Sequence, residues 1–265
     1  MNLFTNHIWD AEEYHKNSSI QYEATNQLLQ NFQFKGNEKI LDVGCGDGKI
    51  TAKIASNVRL GSILGIDISH EMINFAQQNF PKKIFENLSF LVKDAKKLDY
   101  VCEFDVIFSS FALQWLSDQN DFFKRSYKSL KSSGHLVATI PLGISSALEQ
   151  SIAENVSSND WSSYFRTFSP NWHFPEKDKL EHFLMNNNFL LISFSDKIQK
   201  VIFPTRGCFE KYVLQWFSYL QVLPEHLKAI FFNQIIERYL EIEPILPNGN
   251  VCFKFSRLDI IAKKI

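Results

Sequence analysis

The stretch Ile40-Leu41-Asp42-Val43-Gly44-Cys45-Gly46-Asp47-Gly48-Lys49-Ile50-Thr51-Ala52-Lys53-Ile54-Ala55 decides how this chain reads. It joins an apolar strand to a helix-forming run through a loop built on three glycines. Glycine enters positive φ without steric cost and lets a ligand approach the main chain, while a helix start offers unpaired N–H groups and a positive dipole end. The loop therefore reads as a ligand cradle. Its spacing is G-x-G-x-G, with Lys49 where the dinucleotide fingerprint needs its third glycine. Asp42 stands two residues before the first glycine. A carboxylate there repels a pyrophosphate and suits a cationic ligand, which argues against a nicotinamide cofactor.

Around this loop, short β-prone runs recur at 39–43, 62–66, 88–92, 105–109 and 135–140, with two more at 190–203 and 251–262. Helical patterns separate most of them, among them 69–79, which opens on Ser69, and 118–130, with Phe122, Phe123, Tyr127 and Leu130 at helical spacing. Alternation of this kind predicts an α/β, Rossmann-like fold: a seven-stranded, mostly parallel sheet with helices on both faces. The expected organisation is an N-terminal helical cap over 1–35 with its helical region at 8–32, and a ligand-binding core over 36–144. Helical insertions at 145–188 and 207–246 and closing strands within 189–206 and 247–265 complete it. The aromatic insertions, with Trp161, Tyr164, Phe165, Phe168, Trp172 and Phe174, read either as a substrate cap over the carboxyl ends of the strands or as plain hydrophobic packing.

Composition bounds the function. A chain of 265 residues with 45% hydrophobic content supports a sizeable core. The 28 Lys and Arg against 29 Asp and Glu give a formal charge of −1, so no overall attraction to nucleic acid or an anionic membrane is built in, and neither is expected as a partner. Cys45, Cys102, Cys208 and Cys252 are scattered without a C-x-x-C pair, and none of the seven histidines has metal-ligand spacing. The expectation is reduced thiols, no metal and a cytoplasmic protein, monomeric or weakly dimeric. The first residues lack a basic region followed by an apolar run, and no stretch reaches the ~18 apolar residues of a membrane span.

After the second strand, Asp67 stands at about the separation from the glycine loop at which doubly wound folds place an acid on ribose hydroxyls; the rival role is a cap of the following helix. After the third, Asp94 is placed to accept from an adenine amino group with the Ala95 N–H facing a ring nitrogen, or to cap a turn. The fourth strand ends in Ser109-Ser110-Phe111-Ala112-Leu113-Gln114-Trp115.

These four segments in this order resemble the class I S-adenosylmethionine-dependent methyltransferases over about residues 36 to 141. The resemblance implies S-adenosylmethionine as cofactor and S-adenosylhomocysteine as product. It implies a cofactor site made of Asp42, Gly44, Cys45, Gly46, Asp67, Ile68, Met72, Asp94, Ala95, Ser109 and Ser110. A narrower likeness lies in the N-terminal Glu13-Tyr14-His15-Lys16-Asn17-Ser18-Ser19-Ile20-Gln21-Tyr22 and in Leu113-Gln114-Trp115, which resemble trans-aconitate and juvenile hormone acid methyltransferases. The ending Asn248-Gly249-Asn250-Val251-Cys252-Phe253-Lys254-Phe255-Ser256-Arg257-Leu258 resembles the former. Both families esterify carboxylic acids, and the likeness implies Gln21, Trp115 and Tyr14 as acceptor-binding residues. The bland alternatives are an exposed helix residue for Gln21 and a core anchor for Trp115.

The chemistry agrees with that expectation. A carboxylic acid of pKa near ~4 is already ionised at neutral pH, so methylating it needs no general base, and the site residues serve for positioning only. The expected reaction is carboxyl O-methylation of a small organic acid by in-line displacement. The alternatives are a malonyl group held on a carrier protein, another small-molecule acceptor, or a degenerate interaction module. Methylation of a nucleic-acid base fits less well, since Ser109-Ser110-Phe111-Ala112 replaces the Asn/Asp-Pro-Pro-aromatic motif.

Overall fold

Residues 10–265 are described by a computed structural model. Aliphatic runs form the strands β1 (Lys39–Val43), β2 (Ser62–Asp67), β3 (Leu88–Val92), β4 (Phe104–Ser110), β5 (Leu130–Pro141), β6 (Phe189–Phe203) and β7 (Val251–Lys264). They make one sheet in the order β3-β2-β1-β4-β5-β7-β6. β1 pairs in parallel with β2 and β4, β2 with β3, and β4 with β5, while β7 runs antiparallel to β5. The switch in strand order falls at β1, the strand that ends in the glycine loop.

The helices are α1 (Ala11–Asn17), α2 (Ser19–Leu29), α3 (Lys49–Ala55), α4 (His70–Asn79), α5 (Gln119–Ser129), α6 (Ser146–Val156), α7 (Ser162–Phe165), α8 (Lys177–Asn186), α9 (Arg206–Leu214) and α10 (Glu225–Ile242). Period-2 alternation sends successive strand residues to opposite faces. Leu41, Val43 and Ile107 pack with Phe122 and Phe123 of α5, while Ile40, Val106 and Phe108 pack with Leu28, Ile54 and Ile73 of α2, α3 and α4. Helices therefore cover both faces.

Two compact units divide the chain, one running to Leu142 with His173–Lys197 and Arg257–Ile265, the other Gly143–Trp172 with Ile198–Ser256. The first insertion is thus shorter than its aromatic composition suggested, because α8 builds with the first unit: Leu180 and Leu184 are buried in the same cluster as Phe122 and Phe123. Within the second unit the aromatic residues form an interior. Trp161 meets Phe231 edge to face at 4.9 Å, its indole N–H donates to Gln234 at 2.6 Å, and the Tyr239 hydroxyl donates to the Cys252 carbonyl at 2.6 Å.

Two boundaries differ from the sequence reading. The pattern over 118–130 predicts helix through Leu130, but α5 stops at Ser129 and β5 starts at Leu130, whose side chain is fully buried in the sheet core. The helical region over 8–32 is broken at Ser18, which closes α1 and opens α2 with φ −83° and ψ 14°. Residues 8 and 9 of that region, and the first nine of the expected cap, lie outside the described residues.

Candidate functional site

Gly44 takes φ +76°, and a methyl group there would sit 2.2 Å from the Cβ of Ala112, so the loop after β4 packs directly on the loop after β1. Gly48, at φ +79°, is the N-cap of α3 and would collide with Phe90 and Ala76 if it carried a side chain. Phe111, just after β4, also has a left-handed backbone, φ 52°, which for a bulky residue costs roughly 1–2 kcal/mol and marks this strand end as strained.

Three carboxylates gather at the loop. Asp42, buried at the end of β1, accepts from the Thr51 hydroxyl of α3 at 2.7 Å. Burial pushes its carboxyl up to about 7; the Thr51 hydrogen bond opposes that, and repulsion from Asp67 and Asp47 adds to it. Asp67 accepts from the Gly46 N–H at 3.0 Å and the Ser69 N–H at 2.9 Å, and burial raises its pKa against those two bonds. The helix after β2 is capped by the Ser69 hydroxyl, which accepts from the Met72 N–H, so Asp67 does not serve as that cap. Asp47 accepts from the Lys49 N–H at 3.1 Å and meets His15 Nδ1 of α1 at 2.7 Å. Burial lifts the Cys45 thiol well above its ordinary range, which keeps it a neutral packing group.

The cleft over the loop is lined by Tyr14, Ser18 and Tyr22 from the N-terminal helices and by Asp42, Gly44, Cys45, Gly46, Asp47, Lys49, Ile50, Phe108 and Ser110. The cavity is about 20 Å³, room for about one water, because Tyr14 stands over Gly46 and Tyr22 is held beneath the ammonium groups of Lys49 and Lys53 at 5.1 and 4.8 Å.

Of the residues singled out from sequence, Tyr14, Asp42, Gly44, Cys45, Gly46 and Ser110 line this cleft, and Asp67 reaches it through Gly46. Ile68 is exposed beyond β2 and Met72 is buried in α4. Asp94 caps a turn by accepting from the Lys96 N–H at 2.9 Å, with Ala95 half-buried beside it. Ser109 points to the opposite face of β4 from Ser110, and its hydroxyl donates to the Val43 carbonyl at 2.8 Å; only its backbone is left for a cofactor. Gln21 is buried on α2 and its amide oxygen has no partner among the described residues. Trp115 is half-buried in the 3-10 turn Leu113–Trp115. Sequence reasoning missed His15, Asp47, Tyr22 and Thr25, although the first three sit inside the quoted motifs.

The donor set fits a cationic, ribose-bearing cofactor: a negative loop, an acid at the end of β2, and glycines whose place no side chain could take. Among the described residues no cluster of His, Cys, Asp or Glu could hold a metal, all four cysteines are free, and no helix is long and apolar enough to cross a membrane.

The comparisons agree with this geometry. A family model described as a methyltransferase domain matches residues 34–188. The chain belongs to this family, the class I S-adenosylmethionine-dependent methyltransferases, and S-adenosylmethionine is its cofactor. Its relatives include methyltransferase 235L of Invertebrate iridescent virus 6, provisionally so named, 26% identical over 99% of this chain and 96% of that one. A trans-aconitate 2-methyltransferase of Rhizobium etli is 21% identical over 97% of this chain and 99% of its own. A malonyl-[acyl-carrier protein] O-methyltransferase of Priestia megaterium is 31% identical, but over only 51% of this chain and 48% of its own length. The crystal structure of YcgJ from Bacillus subtilis shares the fold, with TM-score 0.60 and 16% identity over 92% of this chain and 98% of that one.

Proposed function

We propose that this methyltransferase transfers a methyl group to a carboxylate oxygen of a small organic acid. Two relatives carry names that specify an acid, trans-aconitate and carrier-bound malonyl. The observation that carries the reading is Gln21, a buried amide with an unpaired oxygen. It lies one turn before Thr25, whose hydroxyl meets that of Ser110 at 2.6 Å, at the carboxyl end of β4 where open α/β sheets bind ligands. A buried amide oxygen without a partner leaves room for a ligand's hydrogen bond, and a half-turn about the last torsion presents the NH₂ to a carboxylate oxygen.

S-adenosylmethionine, when bound, supplies a methyl group on a sulfonium. Asp42, Gly44 and Gly46 hold its methionine end, Asp67 the ribose and Asp94 with Ala95 the adenine in this proposal. Gln21 and Trp115 align the acid. Neutral donors suit that task, because carboxylate and sulfonium both lose charge as the new bond forms, and any charged hydrogen bond, worth ~1.5–3 kcal/mol against ~1 for a neutral one, would raise the barrier by whatever part of it is lost. The remaining work is orientation and water exclusion, and the α1 side chains over the loop provide the latter.

The test uses methyl-labelled S-adenosylmethionine with di- and tricarboxylates, fatty acids and malonyl-carrier protein, scoring base-labile methanol. Release with one acid supports the reading and names free against carrier-bound acceptor. Methylated product that resists base overturns it.

A second reading rests on His15. Its Nδ1 bond to Asp47 leaves Nε2 directed elsewhere, the arrangement of a His–Asp general base, which a hydroxyl or amine acceptor would need. Under that reading His15→Ala lowers kcat more than about a hundredfold; under the carboxylate reading it leaves the transfer step nearly unchanged.

A further inference from the structure

Arg257 is wholly buried on β7, opposite Pro141 at the carboxyl end of β5. A buried charge is costly, and an apolar side chain of similar volume would pack there at no such cost. The guanidinium joins three elements. Its Nη1 donates to Thr139 Oγ1 of β5 at 3.3 Å and to the Asp259 carboxylate of β7, and its Nη2 donates to Gln27 Oε1 of α2 at 2.6 Å, across 230 residues of sequence. A planar fork with several fixed donors sets the direction as well as the distance of its partners, which an ammonium does not.

The partner that matters is α2. Besides Gln27 it is tied to the sheet by the Thr25–Ser110 hydroxyl pair, and it delivers Tyr22, with Ser18 as its N-cap, to the cleft over the glycine loop. We propose that Arg257 is a positioning residue for methyl transfer: through Gln27 it fixes the rotation and depth of α2, so that Tyr22 covers the cofactor loop and Gln21 faces the acceptor. The Gln21 half rests on the carboxylate reading; the Tyr22 half does not.

Gln27 is exposed, so its truncation opens no cavity and the fold survives it. The experiment takes the full-length protein and its Gln27→Ala, Gln27→Glu and Arg257→Lys variants. It measures amide hydrogen exchange of α2 and of β1 and β4, together with S-adenosylhomocysteine affinity. Gln27→Ala and Arg257→Lys are expected to speed exchange in α2 alone and to weaken S-adenosylhomocysteine binding about tenfold, the share of one charge-assisted hydrogen bond. Gln27→Glu, which keeps an acceptor oxygen, retains wild-type values, and the double variant is no worse than Arg257→Lys alone, since both remove one interaction. Unchanged α2 exchange and affinity in Gln27→Ala overturn the proposal. So does exchange rising equally in β1 and β4, which marks a merely structural role. If Arg257→Lys does not fold, the two Gln27 variants decide. Neither readout involves an acceptor, so loss of the carboxylate reading would leave this result standing.

Discussion

Replacing Asp42 by Asn should stabilise the protein and do so only above mildly acidic pH. In the folded chain burial raises the Asp42 carboxyl from its ordinary 3.8 to about 7. Between those values the native state holds a proton that the unfolded chain has released, so stability falls as pH rises from about 4 to about 7 and is flat beyond. At about 1.36 kcal/mol per pH unit the full loss is about 4 kcal/mol, of which roughly a third is already present at pH 5. Asparagine carries no charge to bury and its amide oxygen still accepts from Thr51. Urea unfolding should therefore show Asp42→Asn more stable than wild type by about 1–2 kcal/mol at pH 5 and about 4 at pH 8. The same variant should lose affinity for S-adenosylmethionine, because the cationic methionine end loses the counter-charge that Asp42 supplies in the proposal. A difference in stability that does not grow between pH 5 and pH 8, or an Asn variant less stable than wild type at pH 8, would refute the reasoning.

Wild-type affinity for S-adenosylmethionine should fall as pH drops below about 7, with proton release on binding that Asp42→Asn abolishes, as read by calorimetry in two buffers of different ionisation enthalpy. Gly44→Ala forces a methyl group into Ala112 at a positive φ, so a loss of about 2–4 kcal/mol of stability and of S-adenosylhomocysteine binding is expected in thermal melts and titration. Gln21→Ala and Trp115→Phe should raise acceptor KM or lower kcat roughly tenfold while leaving S-adenosylhomocysteine affinity intact; unchanged steady-state kinetics in both would remove them from the acceptor site. Tyr14→Ala should open the cleft beforehand and speed S-adenosylhomocysteine association about fivefold in stopped flow.

The sheet was legible because its strands are apolar runs separated by capped helices, and the loop because three glycines in five residues have few other uses. Ser69 announced the helix it caps, whereas the Asp118 cap of α5 emerges only from the structure. What was not legible depends on residues that only the finished fold brings together. His15 meets Asp47 across 32 positions, Thr25 meets Ser110 across 85, and Arg257 meets Gln27 across 230. Ser109 and Ser110 looked alike in sequence, yet strand alternation gives one to the core and the other to the cleft. The aromatic insertion misled at its end because α8 shows the same mixture of Leu and Phe as the second unit, and only its burial against α5 assigns it to the first.

The most direct test of the account is the nature of the bond that the methyl group forms. S-adenosylmethionine carrying a ¹³C methyl, turned over with whichever acid the panel selects, gives a product whose methyl carbon shift and long-range coupling identify its neighbour. The account predicts a methyl ester, with the methyl protons coupled to a carboxyl carbon. A methyl bonded to nitrogen, carbon or an alcohol oxygen would contradict it.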